Sequence, residues 1–513
     1  MCENLNAEIS IGTIGSLVDA VGYLMWTFFA RRVRGNPSYY GAESDKDDDV
    51  EDFLLGVVKD TIGKLKEHGC VEVEAGEEND RAVTPTVLGT TASNYYLDYR
   101  TPKQMMFGVQ QARKIIDSLL TEEEEKDNET KMGKVQSEPP VVSAADGIKL
   151  EPFVRSARVD EVSLAWLLYT VSITHEFDEL PVRHNEEHLN ADLSEDVMWG
   201  ADTTSLLNPS GGGSEYVNMD LMADPHTKCF LLLQAHLEGT RLPISDYIND
   251  TRTVVDQVPR LLAAMHFVAL DDKTISGNLE LLSQFSRARA LLAMKAMADD
   301  DPLCQLQGFT TDVIRRMSNG ARAAKQLMPT LFGLRSQTRD TTQATLLRLL
   351  KGRKSVDNLL NSLYGVPLYR IANFSISHAV DKATRKAKGT LHLEIEVSYE
   401  KINNNNSGGG GGKNRRGGRN NNHNNNNNDD DRPMTLTVLL GTRVRKALLG
   451  HASCGVSRRG DPLSPTKKKV QIEFDWASAN ADGGQDGGAV VLRLLLEDMR
   501  GMDTHTVIPL SSS

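Results

Sequence analysis

The apolar residues of this chain change their spacing near Val366, and that change divides it into a helical part and a sheet part. Downstream of Val366 the period is two. "LHLEIEVSY" puts Leu391, Leu393, Ile395, Val397 and Tyr399 on one face, and "VQIEFDW" does the same with Val470, Ile472, Phe474 and Trp476. "VLRLLLE" and "HTVIPL" add further strands, so residues 366–513 read as an antiparallel sandwich of immunoglobulin or fibronectin type. Between the strands lies an Asn- and Gly-rich tract, 403–432, whose composition cannot bury a core and reads as a disordered insertion. Its Lys413, Arg415, Arg416 and Arg419 resemble a short Arg-Gly nucleic-acid-binding segment, although a solubilising insertion has the same composition.

Upstream, apolar residues recur at three and four. Ser16 and Asp19 have capping-box spacing before a helix bearing Val21, Leu24, Met25 and Phe28, which Arg31, Arg32, Gly35 and Pro37 close. An acidic run leads into a second amphipathic segment, 53–65, and "GCVEVEAGEENDRAVTPT" reads as strand, turn and strand. Two helices with a small β wing make residues 1–83 a winged-helix module. Residues 84–312 read as a helical bundle with loop insertions at about 121–150 and 200–217, and 313–365 as a helix-loop-helix. Asp224 and Pro225 open one bundle helix and Gly239 ends it. A longer helix covers 249–270, with Val254, Val255, Val258, Leu261, Leu262 and Met265 on its apolar side.

Several chemistries are missing their residues. The nearest approach to a phosphate-cradling loop, "SGGGGGKN", lacks both the leading Gly and the magnesium-binding hydroxyl. There is no Asp-Glu-x-His box and no G-x-S-x-G elbow, so no catalytic residue is assigned. The five cysteines are scattered and never form C-x-x-C, which suits a reducing compartment. The most apolar stretch, 17–30, carries Asp19 and is too short to span a bilayer, and no secretory signal opens the chain. A nuclear or cytoplasmic location without membrane contact is therefore expected. The formal net charge of −12 argues against a nucleic-acid-binding surface over the whole molecule but leaves room for one local strip.

Two stretches carry candidate chemistry. "PVRHNEEHLN" contains His184 and His188 with Glu187 between them, the H-x-x-E-H spacing of an inverted zinc-peptidase helix. A catalytic zinc needs three protein ligands, and no third one stands out. If that helix buries Leu189 and Leu193, both histidines fall on its wet side, and no metal site is assigned. Arg183 and Glu186 sit at i, i+3 and are placed to pair at the helix start. In the helix 249–270, Arg252, Asp256 and Arg260 recur every four residues, with Gln257 beside them. Such a stripe is either an ordinary solvent face or a surface that contacts one nucleic-acid strand. Pro259 lies inside this helix, where it removes a backbone donor and is expected to kink it.

"LNAEISIGTIGSLVDAVGYLMWTFFARRVRGNPSYYG" resembles the winged helix that follows the motor domains of Ski-like superfamily-two helicases. "LGTTASNYYLDY", "HEFDELPVRHNEEHLNADL", "DPHTKCFLLLQAHL" and "LPISDYINDTRTVVDQVPRLLAAM" resemble, in order, blocks of the SEC sixty-three homology region of the same helicases. The wording is nearest to the second cassette of the cointegrator-complex helicases, with the spliceosomal U-five helicases as near relatives. The likeness is specific over 1–265 and weaker beyond 270. It implies a helical bundle with a strand-contacting "ratchet" helix at 249–270, where Arg260 matches a family arginine and Gln257 a strand-facing position. It also implies that ATP and magnesium belong to motor domains that would precede Met1, acting in cis or in trans. The partners so implied are single-stranded RNA or DNA, subunits of a protein complex and the ribosome, in ribosome quality control or alkylation repair. A catalytically silent protein-interaction scaffold, or a spliceosomal U-five-type helicase paralogue, is the alternative.

Overall fold

The computed structural model describes the chain except for residues 75–80, 131–149, 153–156, 202–218, 272–277, 298, 352–355, 381–386, 400–433, 444–446, 458–464, 481–487, 498 and 511–513. The insertion 403–432 and most of the two bundle loops therefore lie outside the described residues. What is described falls into two compact units, one formed by 1–125 and 158–273, the other by 126–157 and 274–513.

The first unit opens with helices α1 (Cys2–Ser10), α2 (Leu17–Met25), α3 (Phe28–Gly35), α4 (Pro37–Tyr40) and α5 (Asp47–Glu67), followed by the hairpin β1 (Val71–Val73) and β2 (Val83–Pro85). Leu5, Ile9, Leu17, Leu24, Val50, Leu54 and Val58 share one buried cluster with Val71 and Val83, so the helices and the wing close over a common core. The Ser16 hydroxyl accepts from the Asp19 backbone N–H, which fixes the start of α2. That helix stops at Trp26 instead of continuing through Phe28, and Phe28 is exposed rather than buried. The acidic run is part of α5, where Asp47, Asp48 and Asp49 face the positive end of the helix dipole.

The helical part continues with α6 (Val87–Asn94), α7 (Thr101–Thr130), α8 (Ala157–Ser172), α9 (Glu186–Asp196), α10 (Met219–Met222), α11 (Pro225–Glu238) and α12 (Ser245–Asp271). Part of the charged stretch expected to be loop, 121–130, is the last portion of α7. Asp224 caps α11 by accepting from the Thr227 N–H, and Gly239 ends it with φ +69°. Gly89 of α6 is required by a close approach: a Cβ there would stand 2.1 Å from the Cys70 carbonyl oxygen.

In the second unit, β3 (Glu151–Pro152), β4 (Leu368–Val380), β5 (Ala387–Ser398), β6 (Met434–Thr442), β7 (Leu448–Val456), β8 (Thr466–Asp475), β9 (Ala489–Leu496) and β10 (Thr504–Pro509) form two antiparallel sheets. Their orders are β3-β10-β9-β6-β7 and β4-β5-β8. Leu391, Leu393, Ile395 and Val397 of β5 face Leu436, Val438, Leu492 and Leu494 in one buried cluster, as the period of two requires. Four helices occupy the segment read as a helix-loop-helix: α14 (Thr311–Ala323), α15 (Leu331–Arg335), α16 (Arg339–Leu349) and α17 (Asp357–Tyr364). Their apolar faces join the sandwich core.

Helix α13 (Asn278–Met294), assigned from its spacing to the bundle, instead packs against β6 and β9 of the sandwich. Arg493 of β9 bonds the Glu280 carboxylate and the Ser283 hydroxyl of this helix, and Gly441 leaves room for Leu279. Leu279, Leu281, Leu282, Phe285 and Leu291 are all buried. Its polar Glu280, Ser283, Gln284 and Ser286 are buried as well, so the pattern of apolar residues does not say which neighbour covers the helix.

Candidate nucleic-acid interface

Helix α12 runs through Pro259 without a break, and Pro259 itself lies on the exposed side. Val254, Val258, Leu261, Leu262 and Met265 are buried as their spacing implied, whereas Val255 is half-buried. Arg252 and Asp256 are exposed one turn apart; Gln257 and Arg260 are half-buried on the adjoining strip.

Arg260 is committed to the fold as well as to that strip. Its guanidinium donates to the backbone carbonyls of Tyr95 and Tyr96, at 3.3 and 3.1 Å, and to the Gln257 side-chain oxygen. The two carbonyls lie at the C-terminal end of α6, where an arginine satisfies acceptors that the helix leaves unpaired. The end of α6 is a Schellman motif: the Leu97 N–H donates to the Ala92 carbonyl and the Tyr96 N–H to the Ser93 carbonyl. Tyr95 turns inward, its ring centroid 6.2 Å from that of Phe267, while Tyr96 turns out and is 86% exposed.

The register of α12 is set at Asp250, two residues before Arg252. Lys228 of α11 has no exposed side-chain surface, and its Nζ lies 2.6 Å from Glu186, 2.7 Å from Asp250 and 2.7 Å from the Pro181 carbonyl oxygen. The same ammonium stands 4.5 Å from the centroid of the Tyr247 ring. Arg183 pairs with Glu186 at 2.8 Å, as i, i+3 spacing implied, and also with Asp250 at 2.8 Å. Burial pushes both carboxyls upward, but the bonds from Lys228 and Arg183 outweigh it and hold Glu186 and Asp250 below the usual carboxylate range. Tyr247 completes the group by donating to the Asn190 side chain at 2.7 Å, and Asn190 donates in turn to the Met222 carbonyl.

Lys228 and Asp250 were not singled out from sequence. The signal in the sequence is a lysine next to the apolar run "CFLLL", which on the buried face of a helix needs a carboxylate partner. The face of α9 turned inward carries Glu186, Asn190 and Leu193, while Leu189, expected inside, is half-buried. His184 and His188 are exposed, and among the described residues no group of three or more His, Cys, Asp or Glu side chains is placed to hold a metal ion.

The Sec63 Brl domain model matches residues 150–506, more than half of the chain, and a winged helix-turn-helix model matches residues 1–75. The chain belongs to the Sec63 Brl domain family. It is 34% identical over 277 residues to the DExH-box ATP-dependent RNA helicase DExH14 of Arabidopsis thaliana, covering 54% of this chain and 10% of that protein. It is 35% identical over 269 residues to activating signal cointegrator 1 complex subunit 3 of Homo sapiens, covering 52% of this chain and 9% of that protein. The RQC trigger complex helicase SLH1 of Saccharomyces cerevisiae is 29% identical over 308 residues, 60% of this chain and 12% of that protein. The Sec63 Brl chain thus spans roughly a tenth of the length of the curated relatives it matches. It is a helicase-related, non-motor region joined to a winged helix, mainly α with a β portion. Among the described residues of this Sec63 Brl protein, no helix is long and apolar enough to cross a membrane.

Proposed function

We propose that this chain guides a single nucleic-acid strand along the exposed strip of α12 for an ATP-dependent helicase, and docks that helicase into a protein complex. Support comes from one observation above all: Arg252 and Asp256 are exposed on a helix whose position is fixed by the buried Lys228–Asp250 pair, two residues before Arg252. A strip held in register by a rigid element keeps fixed spacing to a backbone that slides past it. Arg252 supplies a free cation, Gln257 and Asp256 hydrogen-bonding groups, and Arg260 a positive charge anchored to α6. ATP and magnesium are assigned to motor domains acting in cis or in trans. RNA or DNA is the substrate, ribosome quality control or alkylation repair is the setting, and nucleus or cytoplasm is the location; of these, only ribosome quality control has support in a relative's name, that of the RQC trigger complex helicase.

The test is binding of single-stranded oligonucleotides to the full chain across a salt series. Arg252→Ala and Arg260→Ala are expected to weaken binding and to flatten its salt dependence by up to about one counterion each. A folded chain that binds neither RNA nor DNA would overturn the reading and leave a protein-interaction scaffold in its place.

A further inference from the structure

Tyr96 stands in the one position of a Schellman motif where glycine is the usual residue. Its φ is +52°, in the left-handed region that side chains other than Gly, Asn and Asp rarely adopt. The conformation costs a tyrosine free energy that a glycine would not lose. The ring does not recover that cost by packing, because it is 86% exposed, whereas its neighbour Tyr95 is turned against Phe267. The backbone beneath the ring is nevertheless held firmly: Arg260 grips the carbonyls on both sides, and the Leu97 N–H and the Tyr96 N–H close the turn. An aromatic ring kept in a strained, solvent-facing pose by a well-bonded backbone is placed for a ligand that is not part of the fold.

The neighbourhood says what kind of ligand. The Tyr96 carbonyl lies 3.1 Å from the Arg260 guanidinium, so the ring rises at the edge of the strip that carries Gln257, Asp256 and Arg252. Arginines spaced along a helix with an exposed aromatic at one end combine the two elements of sequence-tolerant single-strand binding: charge for the phosphates and a π-face for a base. We propose that Tyr96 is a stacking platform for one base of the strand guided by α12. The proposal rests on the strand-guiding reading and deepens it by adding a base contact to a phosphate-facing strip.

The experiment compares the full chain with its Tyr96→Ala, Tyr96→Phe and Tyr96→Gly variants. The probes are oligo(U) and oligo(dT) of about twelve nucleotides, within the range that such surfaces cover, and matched oligomers of abasic backbone. Wild type is expected to prefer base-bearing over abasic strands by roughly tenfold, the worth of one base–aromatic stack. Tyr96→Phe keeps that preference, and Tyr96→Ala loses it while retaining the salt-dependent binding to abasic backbone. Tyr96→Gly loses the preference too, yet melts at a higher temperature than wild type because it removes the strain. Equal discrimination by wild type and Tyr96→Ala overturns the stacking role; if Arg252→Ala still weakens binding, strand guiding survives that result. Absence of any oligomer binding by folded wild type overturns both. Preference for oligo(U) over oligo(dT), or the reverse, identifies which strand the platform serves.

Discussion

Lys228 and Asp250, twenty-two positions apart, meet at 2.7 Å with the lysine side chain fully buried. This contact ties α11 to the first third of α12 and determines where the exposed strip of α12 begins. A charged pair at such depth is costly to leave half-made: removal of one partner strands the other in a poor solvent.

Lys228→Met is accordingly expected to destabilise the first unit by about 3–5 kcal/mol, although methionine fills a similar volume. Chemical denaturation would measure it. The variant that replaces Lys228 and Glu186 together, by Met and Gln, should recover part of the loss, since no excess negative charge then remains buried. A double-variant loss equal to the sum of the single ones would contradict the coupling.

Acid should loosen the same contact. Glu186 and Asp250 are held below the usual carboxylate range in the folded chain, so the unfolded chain binds more protons as pH falls. Their contribution is complete above the ordinary carboxylate values, about 4, and is lost as pH drops through the lower folded values. The melting temperature should therefore fall between about pH 5 and pH 3, and less steeply in Glu186→Gln than in wild type. Parallel slopes in the two proteins would show that the carboxylate does not titrate as described.

Pro259→Ala is expected to stabilise the chain by about 1 kcal/mol or more, up to the ~3 kcal/mol that separates the two residues in a helix interior. The ring is on the exposed side of α12, so little packing is lost, and alanine restores an N–H for the Val255 carbonyl. The shift in urea midpoint reads this directly.

Gly89→Ala should do the opposite. A methyl group 2.1 Å from the Cys70 carbonyl forces α6 away from β1, and a loss of about 2–3 kcal/mol follows from overpacking of this kind. Because α6 carries the carbonyls that Arg260 grips, oligonucleotide binding should weaken along with the melting temperature.

The period change at Val366, the Ser16 and Asp224 caps and the Arg183–Glu186 pair were all legible from sequence, because each is a local relation within a few residues. The strip on α12 was legible as a stripe, but its chemistry was not. Spacing places Arg252 and Arg260 on one line, whereas only the folded chain shows Arg252 exposed and Arg260 engaged with α6. Lys228 and Asp250 depend on partners brought together from three helices, and α13 buries polar Glu280, Ser283, Gln284 and Ser286 along with its leucines. Neither relation leaves a periodic trace.

The group around Lys228 also bears on how this chain changes over time. Its two cations and two carboxylates come from "PVRHNEEHLN", "DPHTKC" and "DYIND", three stretches up to 67 positions apart. Any single replacement that alters a charge passes through a state with a buried ion uncompensated, and the route back requires a second change elsewhere. Three remote words of the chain are thus bound by one charge balance, and a helix start with the spacing of a peptidase pattern serves instead as one corner of that balance.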